Sequence, residues 1–182
     1  MQHFTIPTRE EVSPSNQVIF DKLQSFLGKV PNLYAYFAKN ETALGDYLTL
    51  QNRNSTLTSR EKEVVNLIVS QINDCQYCLA AHTYIAKMND FTDEQILEIR
   101  SGQAGFNTKL DALAKFVKEM SRLKGRPAKT TLKQLFDVGY TEANLVDIIM
   151  MIGDKTISNL LHGVSNLPVD FPLAPELKTQ TV

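Results

Sequence analysis

The stretch TSREKEVVNLIVSQINDCQYCLAAH, residues 58–82, holds a helix start, a broad apolar helix face and both cysteines of the chain. Thr58 with Glu61 three residues later is the pattern of a capping box, in which the two residues satisfy each other's free backbone N–H groups. The apolar residues that follow recur every three or four positions as far as Ile72, which predicts an amphipathic helix with a wide buried face. The stretch therefore predicts that the chain builds its core on helices.

The two cysteines stand at the start of the next predicted helix. Asn73 and Asp74 break the apolar pattern, and we expect Asp74 to be the N-cap of a helix that begins at Cys75. The first turn of a helix carries unpaired N–H groups and the positive end of the helix dipole, which favour a thiolate. The spacing of Cys75 and Cys78 places both sulfurs on one face, and His82 lies one turn further along that face.

The same helical periodicity covers most of the remaining chain, and no alternating strand pattern occurs. Further helices are predicted at residues 15–28, 31–40, 43–51, 93–100, 108–124, 131–139 and 142–163. Residues 166–182 contain three prolines and form a non-helical tail. We expect an all-α fold with one domain over residues 1–182 and the CxxC at the N-terminus of a central helix.

The composition of the chain argues against nucleic acids and membranes as partners. Nineteen basic and twenty acidic residues give a net charge of −1, and no basic cluster indicates nucleic-acid binding. No apolar run approaches the roughly 18 residues that span a bilayer, and the N-terminus lacks the pattern of a secretory signal. We therefore expect a cytoplasmic protein without a membrane partner. In the cytoplasm a CxxC is more often redox-active, catalytic or metal-binding than a structural disulfide.

A histidine next to a thiol can take its proton or stabilise the thiolate, and it usually needs a carboxylate to orient it. If the 58–72 helix and the CxxC helix form an antiparallel hairpin, Glu63 and His82 lie at nearly the same height. Glu61 is the rival carboxylate, although its position suits the helix cap better. The simpler alternative for Glu63 is a solvated first-turn carboxylate that interacts with the helix dipole.

Three interpretations of the cysteine pair follow from its spacing. A thiol–disulfide pair fits best, zinc binding is the main competitor, and a pair of inert buried cysteines is the third. Structural zinc needs a fourth ligand, but no further cysteine exists, and His3 and His162 are remote in sequence. We expect His162 to be structural, in the last turn of a helix that Gly163 ends, and His3 to lie in an extended tail.

The pattern E-x11-C-x-Y-C-x-x-A-H, from Glu63 to His82, resembles the AhpD-like alkylhydroperoxidases of the carboxymuconolactone decarboxylase superfamily. A second stretch, KGRPAKTTLKQLFDVGYTEANLVDIIMMIG, is similar to the downstream helices of that family. Together the two stretches extend the resemblance over about residues 30–165. The resemblance implies an all-helical fold that assembles as a dimer, trimer or hexamer, and a thiol peroxidase or disulfide reductase without a metal or prosthetic group.

Site roles also follow from the resemblance. Cys78 would be the thiolate that attacks a hydroperoxide, and Cys75 would resolve the product to a disulfide. His82 would relay the proton, Glu63 would orient it, and a thioredoxin-like or lipoyl-type thiol donor would restore the dithiol. The best-studied branch of the family has a second histidine at the position of Tyr77, whose phenol is a poor base but can donate a hydrogen bond.

Tyr77 is therefore either a support for a relay through water or a packing aromatic. Two other functions remain open from the sequence. The same residues would serve a disulfide-reductase adapter for another peroxidase, and a zinc-binding helical interaction domain is the weaker alternative. A decarboxylase has no evident use for a vicinal dithiol, so lactone chemistry is not expected.

Overall fold

The computed structural model describes residues 4–177, and these residues form nine α-helices and no β-strand, which confirms the predicted fold class. A single 3-10 turn at Arg9–Glu11 precedes them. The helices are α1 Pro14–Leu27, α2 Asn32–Phe37, α3 Ala43–Gln51, α4 Ser59–Ile72, α5 Gln76–Met88, α6 Asp93–Ser101, α7 Thr108–Arg122, α8 Lys129–Asp137 and α9 Glu142–Ser165. The prediction for His3 lies outside the described residues.

Helix α4 is the centre of the molecule, and it packs against α5, α6, α7 and α9. Every residue from Glu63 to Ser70 is buried, so the helix is covered on all sides, as expected of a helix that is apolar around most of its circumference. One apolar cluster fills the space between α4 and helices α6 to α9. A second cluster joins α1, α2 and α3 to the start of α5, so the cysteines lie within it.

Local capping explains where the helices begin and end. The predicted capping box of α4 is present: the Thr58 N–H donates to Oε2 of Glu61 at 2.8 Å, and the Glu61 N–H donates to Oγ1 of Thr58 at 3.3 Å. The prediction that Gly163 ends α9 is wrong. The helix continues to Ser165, because Asn166 adopts the left-handed conformation (φ 47°) and its N–H bonds to the His162 carbonyl.

The described part of the tail, residues 166–177, is not helical and packs onto the helices. Asp170 forms an ion pair with Lys29, with Nζ 3.1 Å from Oδ2. Arg100 donates from Nη1 to the Pro175 carbonyl at 2.6 Å. These contacts hold the tail against the segment that follows α1 and against the end of α6. Within residues 4–177, no helix has both the length and the apolar character that a bilayer crossing requires.

Candidate active site

The cysteines occupy a tight corner between α4 and α5. The Asp74 N–H donates to the Gln71 carbonyl and the Cys75 N–H donates to the Ser70 carbonyl at 3.0 Å, which together make a Schellman motif at the end of α4. Asp74 takes the left-handed conformation that this motif requires, with φ 50°. The prediction that Asp74 is the N-cap of α5 is therefore wrong, because the residue is already used to close α4.

Cys75 is the N-cap of α5 instead, and the helix begins at Gln76. Its Sγ accepts a hydrogen bond from the Cys78 N–H at 3.2 Å. The two cysteines form a disulfide with their Cα atoms 5.3 Å apart. Both residues are buried, with exposed fractions of 1% and 3%. The sulfurs thus face each other at an electropositive helix start, where a thiolate is favoured after reduction.

His82 and Glu63 meet across the hairpin of α4 and α5. Nδ1 of His82 lies 2.9 Å from Oε2 of Glu63, and both side chains are buried. The other carboxylate oxygen accepts from Nδ2 of Asn66 at 3.0 Å. The interpretation of Glu63 as a solvated carboxylate is wrong, because the chain folds α5 over this part of α4. Glu61 stays in the helix cap, as predicted.

The surroundings of the His82 ring favour its neutral form. Burial lowers the pKa of His82, the positive charge of Lys155 lowers it further, and the carboxylate of Glu63 opposes both effects. A neutral ring that faces a carboxylate through Nδ1 carries its proton on that nitrogen, since the carboxylate can only accept. Nε2 is then the basic atom of the ring, which is the form that a proton acceptor needs.

Helix α9 supplies a polar wall to the site that the sequence predictions missed. Oγ of Ser158 lies 4.0 Å from Sγ of Cys78 and donates to the Lys155 carbonyl at 3.0 Å. Asp154 and Lys155 are both only 3% exposed. The signal was present in the sequence, since this charged pair follows the apolar run Ile148–Ile152 within one helix. Charged residues are rarely buried without a partner or a role.

Tyr77 faces the tail. Its hydroxyl donates to Oδ1 of Asp170 at 2.6 Å and accepts from the Leu33 N–H at 3.3 Å. Its ring packs against the rings of His162 and Phe171. Burial raises the pKa of Tyr77, and the hydrogen bond to Asp170 raises it further. These contacts favour the interpretation of Tyr77 as a packing aromatic. Its hydroxyl links α5 to α2 through the Leu33 N–H and to the tail through Asp170.

His162 lies in the last turns of α9 and is buried, and Nε2 of its ring is 3.1 Å from the Leu167 carbonyl. This bond joins the end of α9 to the tail that follows, which fits the structural role expected for the residue. Across residues 4–177, no group of three or more His, Cys, Asp or Glu side chains is arranged to hold a metal ion.

Comparisons with known proteins agree with this fold. The sequence model of the carboxymuconolactone decarboxylase family matches residues 36–118, which include both cysteines, His82 and Glu63. No curated protein sequence matches the chain. An AhpD-core, uncharacterized peroxidase-related protein from Ralstonia eutropha JMP134 has the same fold, with a TM-score of 0.83 and 17% identity over 92% of each chain.

Two further solved structures share the fold. An uncharacterized peroxidase-related protein from Silicibacter sp. TM1040 is 20% identical, with a TM-score of 0.77 over 92% of this chain and 90% of that chain. The debrominase Bmp8, in complex with 2,3,4-tribromopyrrole, is 16% identical, with a TM-score of 0.76 over 93% of this chain and 92% of that chain. The family model matches residues 36–118, and the solved structures share the helical fold, so this chain is similar to the carboxymuconolactone decarboxylase family and has the fold of an AhpD-core protein.

Proposed function

We propose that this protein is an enzyme, a thiol-dependent hydroperoxide reductase that works through the Cys75–Cys78 dithiol. The observation that carries the proposal is the disulfide at the start of α5, on the same helix as the buried His82–Glu63 pair. A sulfur pair that can switch between dithiol and disulfide is a two-electron reductant. A neutral imidazole nearby supplies the proton acceptor that thiol chemistry needs.

The reaction begins with the thiolate of Cys78. It attacks one oxygen of the hydroperoxide, so that an S–O bond forms, the O–O bond breaks, and the alcohol leaves after taking a proton. The product on the enzyme is the sulfenic acid of Cys78. The thiol of Cys75 then attacks that sulfur, the S–S bond forms, and the S–O bond breaks with release of water. The sulfurs lose two electrons in total, and the peroxide gains them.

His82 and Glu63 carry out the proton transfer in this scheme. His82 takes the proton of the Cys78 thiol and returns it to the departing oxygen, and Glu63 holds the ring in the required tautomer. Ser158 places its hydroxyl oxygen 4.0 Å from Sγ of Cys78, and its proton, which is donated to the Lys155 carbonyl in this structure, would have to turn towards the sulfur to reach the thiolate. No metal or prosthetic group enters any of these steps.

A thiol donor must close the cycle, because each turnover leaves a disulfide. Two thiols of a thioredoxin-like or lipoyl-type donor would reduce it by exchange and become a disulfide themselves. The adapter alternative uses the same exchange to pass electrons to another peroxidase. A reducing compartment such as the cytoplasm suits this cycle. We also propose that residues 1–182 form a single helical domain that carries the whole reaction.

The test is a thiol titration of the reduced, metal-free protein before and after one equivalent of hydroperoxide. We expect both thiols to disappear together, Cys78→Ser to consume no peroxide, and Cys75→Ser to accumulate a sulfenic acid that a dimedone-type reagent traps. If both variants consume peroxide like the parent, the proposal is wrong. Thiols that react with 2,3,4-tribromopyrrole but not with peroxide would instead favour the chemistry named for Bmp8. Stoichiometric zinc with inert thiols would favour the zinc-binding domain.

We also infer that the protein is a homo-oligomer, because α9 presents an apolar stripe to solvent. Its members fall on one side of the helix at helical spacing and are all exposed: Val146, Ile149, Met150, Ile157, Leu160 and Val164. A continuous apolar face on a 24-residue helix is unfavourable in water. A second copy of the chain would cover the stripe with the same stripe, as a twofold interface does.

A further inference from the structure

Lys155 is a buried cation for which the scheme above has no use. It lies on α9 and is 3% exposed. None of the described carboxylates lies within ion-pair distance of its ammonium group. The Lys155 side chain is buried without an ion-pair contact, and a charge in such a place is costly because it loses most of its hydration. We therefore expect another state of the protein in which a negative charge balances the ammonium of Lys155.

The position of Lys155 links it to the dithiol. Ser158, one helical turn further along α9, touches Sγ of Cys78. The ring of His162, one turn beyond that, packs on the ring of Tyr77. Helix α9 therefore runs in the opposite direction to α5, and Lys155 lies beside the part of α5 that carries His82, whose pKa its charge lowers.

Charged and titratable groups surround Lys155 on several elements. Glu63 faces it from α4, His82 from α5, and Asp154 is its neighbour on α9. Tyr47 faces the same polar wall from α3 and is influenced by Asp154 and Ser158. Burial lowers the pKa of Lys155, while Asp154 and Glu63 oppose the decrease. The residue thus sits in a low-dielectric site where one additional charge has a large effect.

We propose that Lys155 is the counter-ion of the reduced enzyme, where its ammonium balances the thiolate that forms when the Cys75–Cys78 disulfide is reduced. The inference rests on the proposed function of that dithiol. Lys155 acts through the charge on the sulfur and through His82, so it is a positioning residue. The disulfide carries no charge. In the oxidised form described here, the sulfurs therefore do not balance the positive charge of the ammonium.

The charge balance of reduction supports this role. Reduction adds two electrons and two protons to the disulfide, and loss of one proton then leaves a thiolate with one negative charge. The start of α5 contributes only about half a positive charge from its dipole. Oγ of Ser158 lies 4.0 Å from Sγ of Cys78 but carries no charge. When protonated, Lys155 supplies a full positive charge on α9, one turn before the Ser158 whose Oγ lies 4.0 Å from Sγ of Cys78.

The alternative is that Lys155 only offsets the carboxylates of Glu63 and Asp154 in the folded protein. The two roles differ in a measurable way. A purely structural lysine would change the free energy of unfolding when replaced, but it would leave the titration of the thiols where it was. A counter-ion of the thiolate must change that titration, because it stabilises one protonation state of the sulfur over the other.

The experiment measures the rate at which iodoacetamide alkylates the reduced protein as a function of pH, which follows the thiolate fraction. We expect Lys155→Met to raise the apparent pKa of the reactive thiol by about one unit, so that alkylation at a pH well below that pKa slows about tenfold. Lys155→Arg keeps the charge and should restore most of the rate. Lys87→Met removes an exposed lysine from α5 itself and should behave like the parent.

A second measurement covers the case in which Lys155→Met does not fold. The ammonium of Lys155 can be titrated by NMR in the parent protein, both oxidised and reduced. Because coupling between two sites is reciprocal, ionisation of the thiol in the reduced protein should raise the pKa of Lys155 by the same amount that the charged Lys155 lowers the pKa of the thiol. An unchanged Lys155 titration, or a folded Lys155→Met with the thiol titration of the parent, would overturn the inference. Neither readout uses peroxide, so a failure of the proposed peroxidase activity alone would be seen separately.

Discussion

Replacement of Glu63 provides a quantitative test of the buried pair. Its two oxygens accept from Nδ1 of His82 at 2.9 Å and from Nδ2 of Asn66 at 3.0 Å, and all three residues are buried. Glu63→Ala leaves both donors without a partner. An unpaired buried donor costs about 1–3 kcal/mol, so the free energy of unfolding should fall by about 2–6 kcal/mol.

Glu63→Gln should be tolerated much better, for a reason visible in the structure. Oδ1 of Asn66 is buried without a hydrogen-bond partner. If the Asn66 amide turns over, this oxygen accepts from the introduced amide group, while the introduced carbonyl still accepts from His82. Two neutral hydrogen bonds replace two charge-assisted ones, which are about twice as strong, so we expect a loss of about 1–2 kcal/mol.

The two variants should nevertheless share a functional defect. Without the carboxylate, only the smaller effect of Asp154 opposes burial and Lys155, which lower the pKa of His82, and the ring becomes a weaker base. A loss of about 1.4 kcal/mol in the proton-transfer step corresponds to about tenfold slower peroxide consumption. The assays are urea unfolding and peroxide consumption, with the exposed Glu142→Gln as a matched control. Equal destabilisation by Gln and Ala, or an alanine variant as stable as the parent, would refute the reasoning.

Three other predictions concern the tail, acid stability and assembly. Tyr77→Phe leaves the buried Leu33 N–H unpaired, so urea unfolding should show a loss of about 1–3 kcal/mol, and an unchanged midpoint would contradict the contacts described. Hydrogen bonds from Thr56 and Arg53 outweigh the effect of burial and lower the pKa of Asp147 from 3.8 to about 2. The contribution of Asp147 to the free energy of unfolding is therefore present above about pH 4 and is lost as the pH falls towards 2. In melting experiments over that range Asp147→Asn should lose less stability than the parent, and identical slopes would exclude the effect. Leu160→Glu should lower the mass measured by light scattering, whereas Leu160→Met should not.

Much of the fold could be predicted because its signals are local. A capping box at Thr58 and apolar spacing along the helices depend on residues within a few positions of each other, and they predict helix limits well. The Glu63–His82 contact could also be predicted, because a single turn separates the two helices. Competing local motifs explain the error at Asp74, since a Schellman motif and an N-cap can claim the same residue.

The contribution of α9 was not predictable in the same way. Ser158 lies 80 positions after Cys78, and only the packing of α9 along α5 brings the two together. Helical periodicity identifies a buried face, but it does not say which helix covers that face. The Asp154–Lys155 pair in an apolar helix indicated a buried polar site without indicating its partner.

Cys75 ends one helix motif and begins the next, and this has a consequence for how the two redox forms compare. Its N–H is committed to α4 and its sulfur receives the N–H of Cys78, so opening the sulfur–sulfur bond releases no loop and no hinge. The oxidised and reduced proteins should therefore have nearly superimposable backbones. A reductase that must tell them apart has little difference in shape to recognise, and it has to sense the electrical change at the sulfurs instead.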